Sequence, residues 1–396
     1  MGTLLLVQGK AVLEKEIKEE VYIYLEKEKI MEIGPLKDAE LRFPEAEKIS
    51  LPKGQTVVPG FIDLHIHGAA GADTMDATPE ALKTIAEALA REGTTSFLAT
   101  TITQEKTNIE KALENAGSYI QEDNQTGRAE ILGIHLEGPF INEKRAGAQP
   151  REYILKPDLD LFKQWQKLAG GHIKLVTIAP EMENGLELIG FLKESGVIAS
   201  IGHTDAVFDE VEAAVYAGAR QITHLFNGMR GMHHREPGTA GSALLFKELM
   251  IEVIADGIHI HPQMIKLALS AKGTDGTLLI TDSMRAKCLK NGVYDLGGQD
   301  VHVADGKALL EDGTLAGSIL KMNEAVRNIA KFTELTLLEA VQLASTNPAR
   351  QLGVLERKGS ITAGKDADIT VLNDQFEVEL TLCRGEIAFK KEEKEG

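Results

Sequence analysis

The pattern of apolar and polar positions divides the chain into three stretches. Over residues 1 to about 56, apolar positions come in short runs, Leu4–Val7, Val12–Glu14 and Val21–Leu25, set among Lys and Glu. KEKIMEIG (Lys27–Gly34) reads as a tight turn into another strand. A small solvated sheet is expected there. From Val57 the period changes, and short apolar runs alternate with stretches of helical period, as in βα units. The strands predicted are Phe61–Ile66, Thr95–Ala99, Ile131–Leu136, Ile173–Ile178, Val197–Ile201, Gln221–Thr223, Ile251–Ala255 and Thr277–Thr281. Helices are predicted between them, for example over Pro79–Glu92, Asn108–Gln121, Gly185–Ser195, Val207–Ala217 and Pro262–Ala271. Eight strands alternating with helices is the count of an α/β (β/α)8 TIM-like barrel.

A polar, Gly-rich excursion, Lys287–Gly313, follows the eighth strand. It predicts a hairpin with YDLGGQDVHV and GKALLEDG as arms. Two helices are then expected, Ser318–Phe332 and Leu337–Leu352, the second N-capped by Thr336 with Glu339 completing a capping box. From Gly359 strand character returns in GSITAGKDADITVL and EVELTLCRGEIAF. The simplest partner for this tail is the N-terminal sheet. The expected organisation is a small β-sandwich domain of residues 1–57 and 358–396 beside a barrel of residues 58–357. The last residues, KKEEKEG, read as a disordered, solvated tail.

A formal net charge of −17 over 396 residues argues against nucleic acid as a partner. It leaves room for an anionic small substrate in a local cationic pocket. Cys288 and Cys383 make no disulfide framework and fit a reducing compartment. The apolar run in MGTLLLVQGK is too short for a signal peptide, and no run reaches membrane-spanning length. A cytoplasmic protein with no membrane partner is expected. Neither a Walker loop nor a dinucleotide fingerprint occurs.

The chemistry starts at VVPGFIDLHIHG (Val57–Gly68). On a strand of period two, Asp63, His65 and His67 share one face and Ile62, Leu64 and Ile66 the other. Two imidazoles at i, i+2 can chelate one ion, and Gly68 lets the backbone turn away. Further candidates recur where later strands end. The third strand, ILGIHLEGP, ends in Glu137 with His135 two residues before it. The fifth runs into His203, the sixth ends in His224 and the eighth in Asp282. In a parallel barrel these positions converge on the C-terminal rim, where barrel active sites lie. Imidazole and carboxylate together suit Zn, Fe, Mn or Co. Asp282 is the natural general base for a metal-activated water. That assembly is a hydrolase of a polarised carbonyl. A cyclic amidase, a nucleobase deaminase or an inactive barrel serving as an assembly protein remain alternatives on these residues alone.

PGFIDLHIHG, HLEGPF, GHTDA, THLFNGM and ITDSM, in this order, resemble the amidohydrolase superfamily. EGPFINEKRAGAQP, HHREPG, ADGIH and DGTLAGS are similar, more narrowly, to its N-acetylglucosamine-6-phosphate deacetylase family. The resemblance implies hydrolysis of the N-acetyl group of that phosphorylated amino sugar, giving glucosamine 6-phosphate and acetate, in amino-sugar catabolism and cell-wall sugar recycling. It makes Glu137, His203 and His224 ligands of the main ion, with Glu137 in place of the carboxylated Lys of many relatives. His65 and His67 match a pair that holds a second ion in some members. One or two divalent ions per subunit are implied, Fe or Zn first, with Mn or Co also accommodated. Asp282 matches the catalytic Asp. Ala148, Asn227, Gly228, Asp256, His259 and the loop Leu315-Ala316-Gly317 match substrate-binding positions. Arg235 matches a residue that reaches a neighbouring subunit's site, which implies a homodimer or a dimer-based homotetramer. Gln149 departs from relatives that carry His there to polarise the carbonyl. Trp165, His172, His261, His302 and Cys288 read as structural.

Overall fold

The computed structural model describes residues 2–392. Eight parallel strands follow one another in chain order around a barrel: Phe61–Ile66, Thr94–Thr100, Glu130–Glu137, Ile173–Ile178, Ile198–Ile201, Gln221–Ile222, Met250–Ile254 and Thr277–Ile280. The first two are buried along their whole length, as parallel strands covered by helices must be. The ring closes just beyond the strand ends. Asp282 N donates to His65 O at 2.8 Å and His67 N to Ser283 O at 2.9 Å. Asp63 completes the closure: it accepts from the backbone N–H of Thr281 at 3.2 Å and from the Thr281 hydroxyl. It therefore serves the seam between the first and eighth strands.

The helices form where capping and period agree. Pro79–Ala90 starts at Thr78, whose hydroxyl accepts from Ala81 N, with Pro at the first turn. It buries Leu82, Ile85, Ala86 and Leu89, one face of a 3.6-residue period. Trp165 packs against Phe140 with ring centroids 5.7 Å apart, and its Nε1–H donates to Glu110. His261 caps the helix Pro262–Lys272 by accepting from Gln263 N.

The two chain ends meet in one eight-stranded sheet, because Ile369–Asn373 pairs antiparallel with Gln55–Pro59. That sheet has its own core, which includes Val7, Ile23, Val57 and Val371. The fold is thus a (β/α)8 barrel with a sandwich of terminal strands. The chain passes from one to the other at Gly60, where a Cβ would lie 2.2 Å from the Thr95 hydroxyl.

Several local expectations need correcting. Thr3–Val12 is one strand, so Val12 ends the first run and does not open a second. Its register shifts between Val7 and Lys10, where a Cβ on Gly9 would sit 2.0 Å from Gln55 O. YDLGGQDVHV folds on itself: Gly292–Leu296 and Gln299–Ala304 pair across Gly297-Gly298, at φ +62° and +84°, and Lys307–Leu309 adds a third strand. A two-residue turn with both φ positive needs such residues. The helix expected from Ser318 starts at Met322, because Ser318 is still bonded along the eighth strand, donating N–H to Asp282 O. Leu337–Leu352 breaks at Ser345 (φ −134°, ψ −66°) into Leu337–Ala344 and Thr346–Gln351. The capping box at Thr336 and Glu339 is present. Gly68 is not a sharp turn: it opens a two-residue strand, and a Cβ there would lie 2.2 Å from Ala72 O. Of the expected tail, Lys390 ends a strand and Lys391 pairs with Glu377 and Glu379. Residues 393–396 lie outside the described residues.

Candidate active site

Six side chains from five strands converge at the C-terminal mouth of the barrel. Glu137 Oε1 lies 3.3 Å from His203 Nε2, 3.2 Å from His224 Nε2 and 3.3 Å from His65 Nε2. Its Oε2 lies 3.3 Å from His67 Nε2. Asp282 Oδ1 is 3.4 Å from His65 Nε2 and 3.3 Å from His67 Nε2. All six are buried, and they form two groups, Glu137–His203–His224 and His65–His67–Asp282. Glu137 stands between the two groups. His65, His67 and Glu137 arrive by strand alternation. His203, His224 and Asp282 sit just past strand ends with φ of +47°, +31° and +49°. This left-handed backbone costs about 1–3 kcal/mol per residue and concentrates at functional sites.

The nitrogen chemistry fits a cation. His203 Nδ1 lies 2.9 Å from Arg145 O and His224 Nδ1 3.1 Å from Asn227 O. A carbonyl only accepts, so Nδ1 carries a proton and Nε2 is the atom each ring turns inward, free to offer a lone pair to an ion. These two Nε2 atoms are 3.0 Å apart and face the same carboxylate oxygen. His65 Nε2 is buried without a hydrogen-bond partner among the described residues. Converging lone pairs of this kind are the donor set of a divalent metal.

Proton and ion compete here: the carboxylates that would share an ion with His65 and His67 also favour a proton on these rings, which ion binding displaces. Burial works against a charged His67, yet hydrogen bonds to Asp282 and Glu137 raise its pKa to about 9. His65 is likewise raised well above the ordinary range, against burial, by Asp282 and Glu137. Burial alone would raise Asp282, but His65 and His67 bring it down to about 2. His135 is different. Burial and the neighbouring His65 lower it well below the ordinary value, and its Nε2 pairs with the Thr177 hydroxyl at 2.8 Å. It supports the floor of the site and is no member of either group.

A cavity of about 240 Å³ opens onto five of the six, His65 lying beneath them. Ala148, Asn227, Gly228, His259, Leu315 and Gly317 line it. At Gly228, φ is +55° and a Cβ would stand 3.0 Å from His203 Nδ1, so only glycine fits without displacement. Asp256 lies behind His259, with its Oδ2 2.6 Å from His259 Nδ1. Burial opposes a charged His259, and this bond to Asp256 raises its pKa. Ala316 is fully buried against the three-stranded meander and does not line the cavity. Arg235 is exposed on the His233–Glu236 turn, with its guanidinium 2.7 Å from His234 Nε2. No Lys or Arg among the described residues lines the cavity.

One residue, Glu252, has no place in the expectations from sequence, and Gln149 enters them only as a departure, without a role. Glu252 is fully buried, with Oε2 3.0 Å from His65 Nδ1. Its signal was a lone carboxylate in the apolar strand MIEVI, which burial obliges to find partners. Gln149 accepts from Thr103 N at 2.8 Å and donates to Glu137 Oε2 at 2.7 Å. Its amide is thus oriented to hold the central carboxylate.

A metal-ligand cluster at the C-terminal mouth of such a barrel defines a metal-dependent hydrolase of the amidohydrolase class. The chain belongs to the amidohydrolase family, whose model matches residues 56–388. It is 50% identical over 395 residues to the N-acetylglucosamine-6-phosphate deacetylase of Bacillus subtilis (strain 168), covering 99% of each chain. It is 48% identical to the enzyme of the same name from Lysinibacillus sphaericus, over 84% of this chain and 86% of that one. A solved structure of a Mycobacterium smegmatis N-acetyl-D-glucosamine-6-phosphate deacetylase variant, in complex with N-acetyl-D-glucosamine-6-phosphate, superposes with TM-score 0.90 at 30% identity, over 98% of this chain and 99% of that one. No helix among the described residues is long and apolar enough to cross a membrane.

Proposed function

We propose that this protein hydrolyses the N-acetyl group of N-acetylglucosamine 6-phosphate to glucosamine 6-phosphate and acetate. The observation that carries the reading is the convergence of Glu137, His203 and His224 beside Asp282 in a cavity of sugar size, in a chain half identical to a deacetylase over its full length.

Glu137, His203 and His224 would hold one divalent ion, and His65, His67 and Asp282 surround the place of a second. A bound ion supplies an activated water and polarises the acetyl carbonyl. Fe or Zn suits this donor set, and Mn or Co is accommodated. The chain's own residues do the rest. Asp282 takes a proton from the attacking water and delivers it to the amide nitrogen as the C–N bond breaks. His259, held by Asp256 at 2.6 Å, is placed to donate to the carbonyl oxygen as negative charge grows there. Asn227, Gly228, Ala148, Leu315 and Gly317 shape the sugar site, with Ala316 anchoring the loop from behind.

A phosphate needs strongly cationic donors, and among the described residues no Lys or Arg lines the cavity. Arg235, exposed on its turn, would supply the charge to a neighbouring subunit's cavity, so the working unit is at least a dimer. Arg235→Ala is expected to raise KM for the phosphorylated sugar at least tenfold while sparing metal content. An unchanged KM would show that the phosphate is bound otherwise. The central test is acetate release from the phosphorylated and unphosphorylated sugars, with metal content measured on the same sample. Strong preference for the phosphorylated sugar is expected. Equal rates on both would reject the substrate assignment in favour of another amide hydrolase.

A further inference from the structure

We infer that Glu252 is the positioning residue of the second ion site: it fixes His65 as an Nε2 donor, and its charge strengthens the His65–His67–Asp282 group selectively. This rests on the reading above that both groups bind ions.

Glu252 lies in the seventh strand and is fully buried. Its oxygens are fully engaged. Oε1 accepts from Gln221 Nε2 at 2.6 Å. Oε2 accepts from His224 N at 3.0 Å and lies 3.0 Å from His65 Nδ1. A carboxylate accepts, so the proton of the His65 ring sits on Nδ1 and the lone pair on Nε2. That lone pair points towards Glu137 and Asp282. The orientation of Glu252 is itself set from behind, since Gln221 Oε1 accepts from Gln351 Nε2 at 2.9 Å. The chain of bonds runs from the site back to the helix Thr346–Gln351.

The other three imidazoles lack this support. His203 and His224 rest on neutral backbone carbonyls. His67 Nδ1 has no hydrogen-bond partner among the described residues. Among the described residues, His65 alone of the four rests on a carboxyl group. Such a carboxylate makes the ring a stronger ligand, and losing it typically costs 10–100-fold in metal affinity. The asymmetry therefore favours one of the two groups. Glu252 also holds the backbone of His224, but an amide oxygen can keep that bond.

Glu252→Gln separates charge from shape. The amide oxygen can take the place of Oε2, and the amide nitrogen meets Gln221, whose own amide can turn to accept. The experiment is titration of the full chain, stripped with a chelator, with Co²⁺, read by visible absorption and by metal analysis after desalting. Wild type is expected to take two ions. E252Q is expected to keep one at wild-type affinity and to bind the other 10–100-fold more weakly. Thermal unfolding of the metal-free forms should coincide, which separates a site effect from a fold effect. In a His67→Ala background, which removes the second ion, adding E252Q should leave the remaining ion's affinity unchanged. The inference is overturned if E252Q binds both ions as wild type does, or if it weakens the ion that H67A retains. A wild-type chain that takes only one ion overturns the two-ion reading itself, and this inference with it.

Discussion

At the scale of single residues, the site is a set of donors of which three imidazoles, His65, His203 and His224, are held through Nδ1 so that Nε2 faces inward. Asp282 is the exception that can move a proton. His65 and His67 bring its pKa down to about 2 against burial, so the form that faces the site is the ionised one. Asp282→Asn keeps the size and removes the base. A loss of about 10²–10⁴ in kcat is expected for a positioned acid–base group, with at least one ion still bound through Glu137, His203 and His224. Stopped-time acetate assays beside metal analysis check both halves, and full activity in D282N would refute the assignment. These residues were legible because each is a ligand-type side chain at the end of an apolar run. What could not be read is how three of them face the mouth. Positive φ at His203, His224 and Asp282 is imposed by the turns around them: His and Asp adopt it more often than most residues, yet it remains uncommon in both and cannot be read from the residue type. Gln149 was noticed only as a departure. Its bond to Glu137 depends on residues brought together by folding.

At the scale of elements, the eight barrel strands were legible because their period is strong and their spacing regular. The boundaries failed where a tertiary bond replaced a local rule, as at Ser318, or where a glycine pair allowed a turn inside an apparent strand, as at Gly297-Gly298. Asp63 is the instructive case. It shares the alternating face of His65 and His67, yet it tops no strand end and instead ties the eighth strand to the first. It accepts three hydrogen bonds, from His65 N and from the backbone and hydroxyl of Thr281. Hydrogen bonds to a charged group contribute roughly 1.5–3 kcal/mol each, and burial of the carboxylate takes back part of that. Asp63→Ala strips the seam of its acceptors and should cost about 3 kcal/mol of unfolding free energy in a urea titration. Asp63→Asn, whose amide oxygen can accept from both backbone N–H groups while its NH2 donates to the Thr281 hydroxyl, should cost about 1 kcal/mol. Equal stability of D63A and wild type would show that the backbone bonds beyond the strand ends close the ring unaided.

At the scale of the molecule, the barrel and the terminal sheet are joined by a buried charge network that the sequence hides, because its members come from three distant stretches. Lys358 Nζ lies 2.7 Å from Glu130 and 3.4 Å from Asp366, and it also pairs with Asp368. Arg357 grips Glu130 with two bonds of 2.9 Å and reaches Asp366 at 2.7 Å. Lys29 reaches Asp366 from the N-terminal sheet at 2.7 Å. Glu130 opens the third barrel strand, while Asp366 and Asp368 lead into the strand Ile369–Asn373. Burial would push Glu130 up, but Lys358 and Arg357 bring its pKa from 4.5 down to about 2. A carboxyl depressed by folding stabilises the native state fully above its ordinary pKa. That contribution falls away as pH drops through the native value. The window here runs from about pH 4.5 down to about pH 2, and a shift of this size corresponds to roughly 3 kcal/mol. Lys358→Met removes the buried cation and leaves carboxylates without it, so a loss of about 3–5 kcal/mol is expected near pH 7. In that variant Glu130 titrates closer to its ordinary value, so the gap between variant and wild type should narrow as pH falls below about 4.5. Denaturant unfolding of both proteins at pH 7, 5 and 3.5 checks it. A gap that stays constant across that range would mean that Lys358 stabilises through packing of its stem and not through charge.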